Sequence, residues 1–119
     1  MNRPFAYVCA PIAGEAGSST KKLRSYCRKL YDNGYLPIAP TLLFQQFINM
    51  NVPTENNDRI TMASDLLRRC RVVVVCGRIN TEVMTGEIEL ARKLGIVITT
   101  LDGIERIGEF MQSEADGED

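Results

Sequence analysis

Four consecutive valines, Val72 to Val75, followed by Cys76 and Gly77, limit what this chain can become more than any other stretch. A strand with one face in water alternates apolar and polar residues. An unbroken β-branched run suits a strand covered on both faces, the condition of a central strand in a parallel sheet. Immediately downstream the period changes. Val83, Glu87, Leu90, Ala91 and Leu94 recur at the spacing of one helix face, so Glu87 shares the stripe that the four apolar residues turn toward the sheet. Glu82, Glu89 and Lys93 fall elsewhere around the helix, as solvated charges. An acid on the inward stripe just after a strand lies at the carboxyl edge of the sheet, where open α/β folds bind ligands. The same acid also fits a first-turn partner of the helix dipole, and spacing leaves both readings open.

The remaining chain alternates strand and helix patterns in the same way. Phe5 to Ala10 reads as the first strand, closed by Pro11. Gly14, Gly17, Ser18 and Ser19 form a loop before a helix that runs to about Asn33, with Leu23, Tyr26, Cys27, Leu30 and Tyr31 on its inner face. Tyr35 to Pro40 reads as a second strand, whose prolines suit an edge position. Thr41 to Met50 is apolar for a connection, which fits a cover over a pocket, a subunit contact or a short core helix. Glu55 to Arg69 carries Ile60, Ala63, Leu67 and Cys70 along one helix face. Gly95 stops the helix bearing Glu87, Ile96 to Thr100 reads as a further buried strand, and Asp102 to Met111 as a closing helix. Such alternation predicts an α/β fold with right-handed crossovers and helices on both faces. The expectation is a single three-layer, flavodoxin-like or Rossmann-like domain over residues 1–112, with a four- to five-stranded parallel sheet. Residues 113–119 read as an acidic, disordered tail. A strand order of 2-1-3-4 brings the ends of strands one and three (Cys9, Ala10 and Pro11; Cys76 and Gly77) to one crevice, with Tyr7 and Glu87 nearby.

Composition narrows the chemistry. The 119 residues contain no histidine, which excludes Ser-His and Cys-His nucleophilic pairs and imidazole metal sites. Acid–base work falls to carboxylates, tyrosine or lysine, and neither a metal nor a redox cofactor is called for. A net charge of -1 provides no broad basic field for a nucleic-acid polymer, so a small molecule is the expected partner. No apolar run approaches the ~18 residues of a membrane span, and the N-terminus lacks a signal pattern, so a cytoplasmic protein with no membrane partner is expected. Cys9, Cys27, Cys70 and Cys76 form no CxxC pair and read as structural thiols. Lys21 and Lys22 open the first helix behind the glycine loop, either as part of an anion cradle or as a solvated pair.

Three segments carry a family resemblance: Tyr7-Val-Cys-Ala-Pro-Ile-Ala-Gly14, Gly34-Tyr-Leu-Pro-Ile-Ala-Pro40 with Leu42-Leu-Phe44, and Glu82-Val-Met-Thr-Gly-Glu-Ile88. Together they resemble the nucleoside 2-deoxyribosyltransferase-like superfamily, in particular its small bacterial and phage branch, to which deoxynucleoside-monophosphate N-glycosidases are related. The resemblance spans Tyr7 to about Ile98. It implies that Glu87 is the nucleophile toward C1′ of a deoxyribose and that Tyr7 positions or activates it. Retaining glycosyl transfer uses such a carboxylate because an oxocarbenium-like centre is intercepted by a nearby anion that can later leave. The loop from Gly14 to Ser19 would hold the sugar or 5′-phosphate end. Candidate ligand contacts are then Ile12, Gly14, Ser18 and Ser19 in that loop, Cys9 and Pro11 before it, and Gly77 and Met84 opposite. The departures are specific. Cys70 and Arg71 stand where the family has an aspartate before the central strand, and Asp65 is the remaining candidate acid, at a spacing unlike the family's. Ile12 and Ala13 replace an aromatic or arginine, Val83 a glycine and Thr41 a histidine.

Three functions are consistent with these residues. The first is a nucleoside or nucleotide deoxyribosyltransferase or N-glycosidase. The second is a non-catalytic binder of a nucleotide or nucleotide-derived ligand. The third is a scaffold, for which only the apolar 41–50 segment speaks. That segment also leads to the expectation of a homodimer or higher homo-oligomer.

Overall fold

All four central valines are buried, and their strand, β3 (Val72–Val75), lies between two parallel neighbours. The computed structural model describes residues 2–11, 20–78 and 81–116. On one side β3 pairs with β1 (Phe5–Cys9), with Tyr7 opposite Val73 and Cys9 opposite Val75. On the other it pairs with β4 (Val97–Thr100). The short β2 (Leu36–Ile38) adds to the outer side of β1, which gives an all-parallel sheet in the order β2-β1-β3-β4. Pro37 thus occupies an edge strand, where a missing amide donor is tolerated.

Strand pleating sorts the core into two layers. Ala6, Val8, Val72 and Val74 face α1 (Thr20–Asp32) and α5 (Leu101–Asp116) through Leu23, Leu30, Leu101 and Ile104. Tyr7, Cys9, Val73 and Val75 face α3 (Pro53–Arg68) and α4 (Glu82–Leu94) through Leu67, Met84 and Ala91. The architecture is a three-layer α/β domain with helices on both faces of the sheet. The parity of β1 therefore sends Tyr7 to the same side as the helix that carries Glu87.

Helix α4 ends where its sequence predicts, at Gly95, and the structure adds the cap at its start. The Thr81 hydroxyl accepts the Met84 amide at its start, and Gly95, with φ of 71°, adopts the left-handed conformation that ends it.

Four local expectations are corrected. Pro40 does not extend a strand but opens a five-residue helix, α2 (Pro40–Phe44), because proline's fixed φ suits the first helical turn. The segment is part core and part surface, with Phe44 buried while Leu43 and Phe47 are exposed. The strand read as buried over 96–100 is an edge strand with Val97 largely exposed, and Leu94 is exposed while Met84 takes the buried place on α4. Helix α5 continues through Asp116, past the expected end of the closing helix at Met111. Its Ile107, Phe110 and Met111 are exposed.

Candidate active site

Pleat parity and helix period converge on one contact. Tyr7 is almost wholly buried, and its hydroxyl donates a hydrogen bond to the Glu87 carboxylate from across the layer. Eighty positions separate the two residues in sequence. The pair forms part of the wall of a cavity of about 350 Å³, within the range of small-molecule sites. The cavity lies between the end of β1, α2, α3 and α4. Its walls are mostly apolar, built from Val8, Leu23, Pro40, Ala63, Leu67 and Leu90 among others. Arg59, Glu82, Glu87, Tyr7, Ser64 and Thr41 supply the side-chain polar groups.

The electrostatics of Glu87 follow from that enclosure. Burial pushes its carboxyl from 4.5 up to about 7, against hydrogen bonds from Tyr7 and Cys9 and the positive charge of Arg59, all of which favour the anion. A carboxyl so placed changes protonation near neutral pH, as acid–base and nucleophilic groups do. Tyr7 moves the other way in function. Burial, then the adjacent carboxylate and their hydrogen bond, push its hydroxyl far above the ordinary tyrosine range, so it stays a donor.

Arg59 is the residue that the sequence reading missed. It is 6% exposed, the one buried charged residue among those described. Asn56 on the preceding turn accepts from both its Nε and one Nη, at 3.1 and 3.0 Å, which fixes the plane of the guanidinium. No carboxylate forms an ion pair with it among the described residues. Its sequence signal was the i, i+4, i+8 row Arg59, Ala63, Leu67, all three buried. The sequence reading has Ala63 and Leu67 on the same face but starts it at Ile60, three residues before Ala63, where the buried position is Arg59, four before it. Ile60 is in fact substantially exposed, though it lines the cavity.

The other expected site residues divide. Cys9 and Met84 are wholly buried beneath the site, where the Cys9 thiol lies 3.8 Å from the Met84 carbonyl. They support the wall and do not line it. Pro11 is half-buried and also outside the lining. Ile12, Gly14, Ser18 and Ser19 lie outside the described residues. Lys21 and Lys22 are exposed in the first turn of α1, and Leu23 just after them reaches the cavity. Gly77, with φ of 78°, borders a different, shallow cleft with Thr100, Asp102 and Glu105. Among the described residues, the cavity that Tyr7 and Glu87 line lies over β1 under α2, α3 and α4, and Gly77 does not border it. Asp65 is exposed and absent from the cavity wall, being two positions past Ala63 and so turned away from it. Glu82, read as a solvated charge, is exposed yet borders the cavity.

Arg71 has a plain location. Its amide donates to the Phe5 carbonyl at 2.9 Å at the start of β3, and its side chain borders a cleft with Arg3 and Arg69. That is the amino edge of the sheet, opposite the end of β1 where the cavity opens. Two other departures, Thr41 and Val83, do line the cavity.

The four cysteines are free, and burial pushes Cys70 up to about 11 and Cys76 up to about 12, as expected of unreactive core thiols. No described helix is long and apolar enough to cross a membrane. No curated protein matches the chain. Residues 4–101, which hold Tyr7, Arg59 and Glu87, match the model of a domain of unknown function, DUF7768, and the chain belongs to that family.

Proposed function

We propose that the protein breaks the N-glycosidic bond of a deoxynucleoside or its monophosphate, with Glu87 as nucleophile, passing the sugar to water or to a second base. The observation that carries this reading is the Tyr7–Glu87 hydrogen bond at the wall of a ligand-sized, mostly apolar cavity. The motif resemblance around the same two residues supports it. Glu87 as the anion attacks C1′ from the face opposite the base, and the electron pair of the C1′–N bond leaves with the base. Tyr7 holds the carboxylate oxygen in place through a hydrogen bond that strengthens its anionic form. Water or another base then attacks C1′ and releases Glu87. Apolar walls exclude competing water and strengthen each electrostatic contact.

Incubation with each deoxynucleoside and each monophosphate, followed by chromatography, tests the reading by free base. Release that Glu87→Ala abolishes supports it, and no release from any of them sinks it.

The second reading, a binder of a nucleotide-derived ligand, is favoured by one observation. Among the described residues the cavity offers no acid besides Glu82 and Glu87, and Asp65 stands outside it. Calorimetric binding without base release would decide for it. A homo-oligomer in the cytoplasm completes the proposal, supported by exposed Leu43 and Phe47 beside cavity residues Pro40 and Thr41 and by the free thiols. Light scattering that shows a monomer at tens of micromolar, roughly where weak interfaces associate, would remove it.

A further inference from the structure

A cation in a mostly apolar wall is costly unless something answers it, and the Glu87 carboxylate acts on Arg59 only through space, with no ion-pair contact to Arg59 among the described residues. Its guanidinium is held by Asn56 through two of its nitrogens, which leaves the other Nη without a protein partner among the described residues. No buried side-chain nitrogen or oxygen in that set lacks a partner, so this nitrogen is not sealed from solvent, and Arg59 forms part of the cavity wall. The site is thus preset for a ligand that brings a hydrogen-bond acceptor with negative character.

The lining selects among such ligands. A phosphate dianion would meet two carboxylates, Glu82 and Glu87, and mostly hydrocarbon walls, with a single described cation to offset them. A flat, uncharged ring with an acceptor edge fits better. It gains from the apolar walls and acquires negative charge only when its bond to the sugar breaks. Arginine's planar fork suits a carbonyl oxygen and an adjacent ring nitrogen.

We infer that Arg59 binds the acceptor edge of the nucleobase and stabilises the base as it departs as an anion, in place of an acid that would protonate it. This rests on the N-glycosidic reading of the site. As the C1′–N bond breaks, its electron pair stays on the base nitrogen and spreads onto the carbonyl oxygen facing Arg59, while a Glu87 oxygen bonds to C1′. Water then attacks C1′, displaces the Glu87 carboxylate and loses a proton, and the released base takes up a proton from solvent. Bases whose anions delocalise onto carbonyl oxygen, such as uracil, thymine and hypoxanthine, are therefore the preferred class over adenine.

The test compares leaving groups. Wild type, Arg59→Met, Arg59→Lys and Asn56→Ala are assayed on deoxyuridine, deoxyinosine and a 4-nitrophenyl deoxyriboside, whose phenolate departs without help. Arg59→Met should lose about 10²–10³-fold in kcat on the natural bases, the scale for removing one anion-stabilising donor. On the nitrophenyl substrate the loss should be less than about tenfold, since little charge there needs Arg59. Asn56→Ala should fall between Arg59→Met and wild type, and Arg59→Lys should recover part of the activity. Equal losses on both leaving groups, or no loss, would overturn the inference. If wild type releases no base at all, the glycosidic reading fails separately. Calorimetry with free uracil and hypoxanthine then decides base recognition: binding lost in Arg59→Met upholds it, and equal binding or none overturns it.

Discussion

The two edges of this sheet both carry arginine, and they use it in opposite ways. At the amino edge, Arg69 and Arg71 are exposed beside an open cleft, and Arg3 spends its guanidinium on the Tyr31 and Tyr35 carbonyls and the Tyr31 ring. Around the cavity beyond β1, Arg59 is buried, oriented by Asn56 and shares apolar walls with a carboxyl that burial pushes up to about 7. Solvent screens the first group to small energies, whereas the second acts in a medium where charge is felt strongly. Count of charges says little about where chemistry occurs. Their enclosure says more.

The largest expected effect that would break this contrast lies at Glu87. Glu87→Ala should reduce base release by at least about 10³-fold while circular dichroism stays unchanged, since a covalent step cannot proceed without the nucleophile. Retained turnover in that variant would end the assignment. Tyr7→Phe comes next, with a loss of about 10–10²-fold, because the hydroxyl orients the carboxylate without reacting. It also carries a sign. The Tyr7 hydrogen bond holds the Glu87 pKa down, so its removal should move the acid limb of the pH–rate profile to higher pH than in wild type. A limb that stays put would show that the hydrogen bond does not tune the nucleophile.

Smaller is the effect of Glu87 on stability. Below about pH 4.5 the carboxyl is protonated in folded and unfolded chains alike, and between about 4.5 and about 7 the unfolded chain ionises first. Stability is therefore lost as pH rises through that window. A shift from 4.5 to about 7 bounds the loss at about 3 kcal/mol, and partial solvent access reduces the expected value to about 1–2 kcal/mol. Glu87→Gln should thus melt higher than wild type at pH 8 and equally at pH 4. Urea denaturation at the two pH values checks it, and a variant weaker at pH 8 contradicts the burial argument. The smallest effect belongs to the amino edge: Arg69→Ala and Arg71→Ala should each change stability by about 0.5 kcal/mol or less and leave turnover alone. A large loss of turnover there would erase the distinction between the two edges.

The local grammar of the chain was legible before folding. The valine run reads as a doubly covered strand, Gly95 as the end of α4, and Glu87 as an inward acid, because each depends on residues within a few positions of one another. The order β2-β1-β3-β4 follows from the alternation of strands and helices and the few connections that alternation allows. Tertiary structure alone decided what each polar group faces. Pleating predicts that neighbours on β1 alternate, but only the packing of α3 and α4 determines that Tyr7 takes their side and meets Glu87. The buried row of α3 keeps Ala63 and Leu67 as expected but begins at Arg59 and not at Ile60, a choice between two positions on the same face that helix period alone leaves open. Arg71 proved remote from the cavity because one strand's length separates the two edges of a sheet, a distance invisible in sequence spacing. Hydrophobic periodicity encodes which face is buried to within about one residue; which charge is carried inside depends on contacts between segments far apart in the chain.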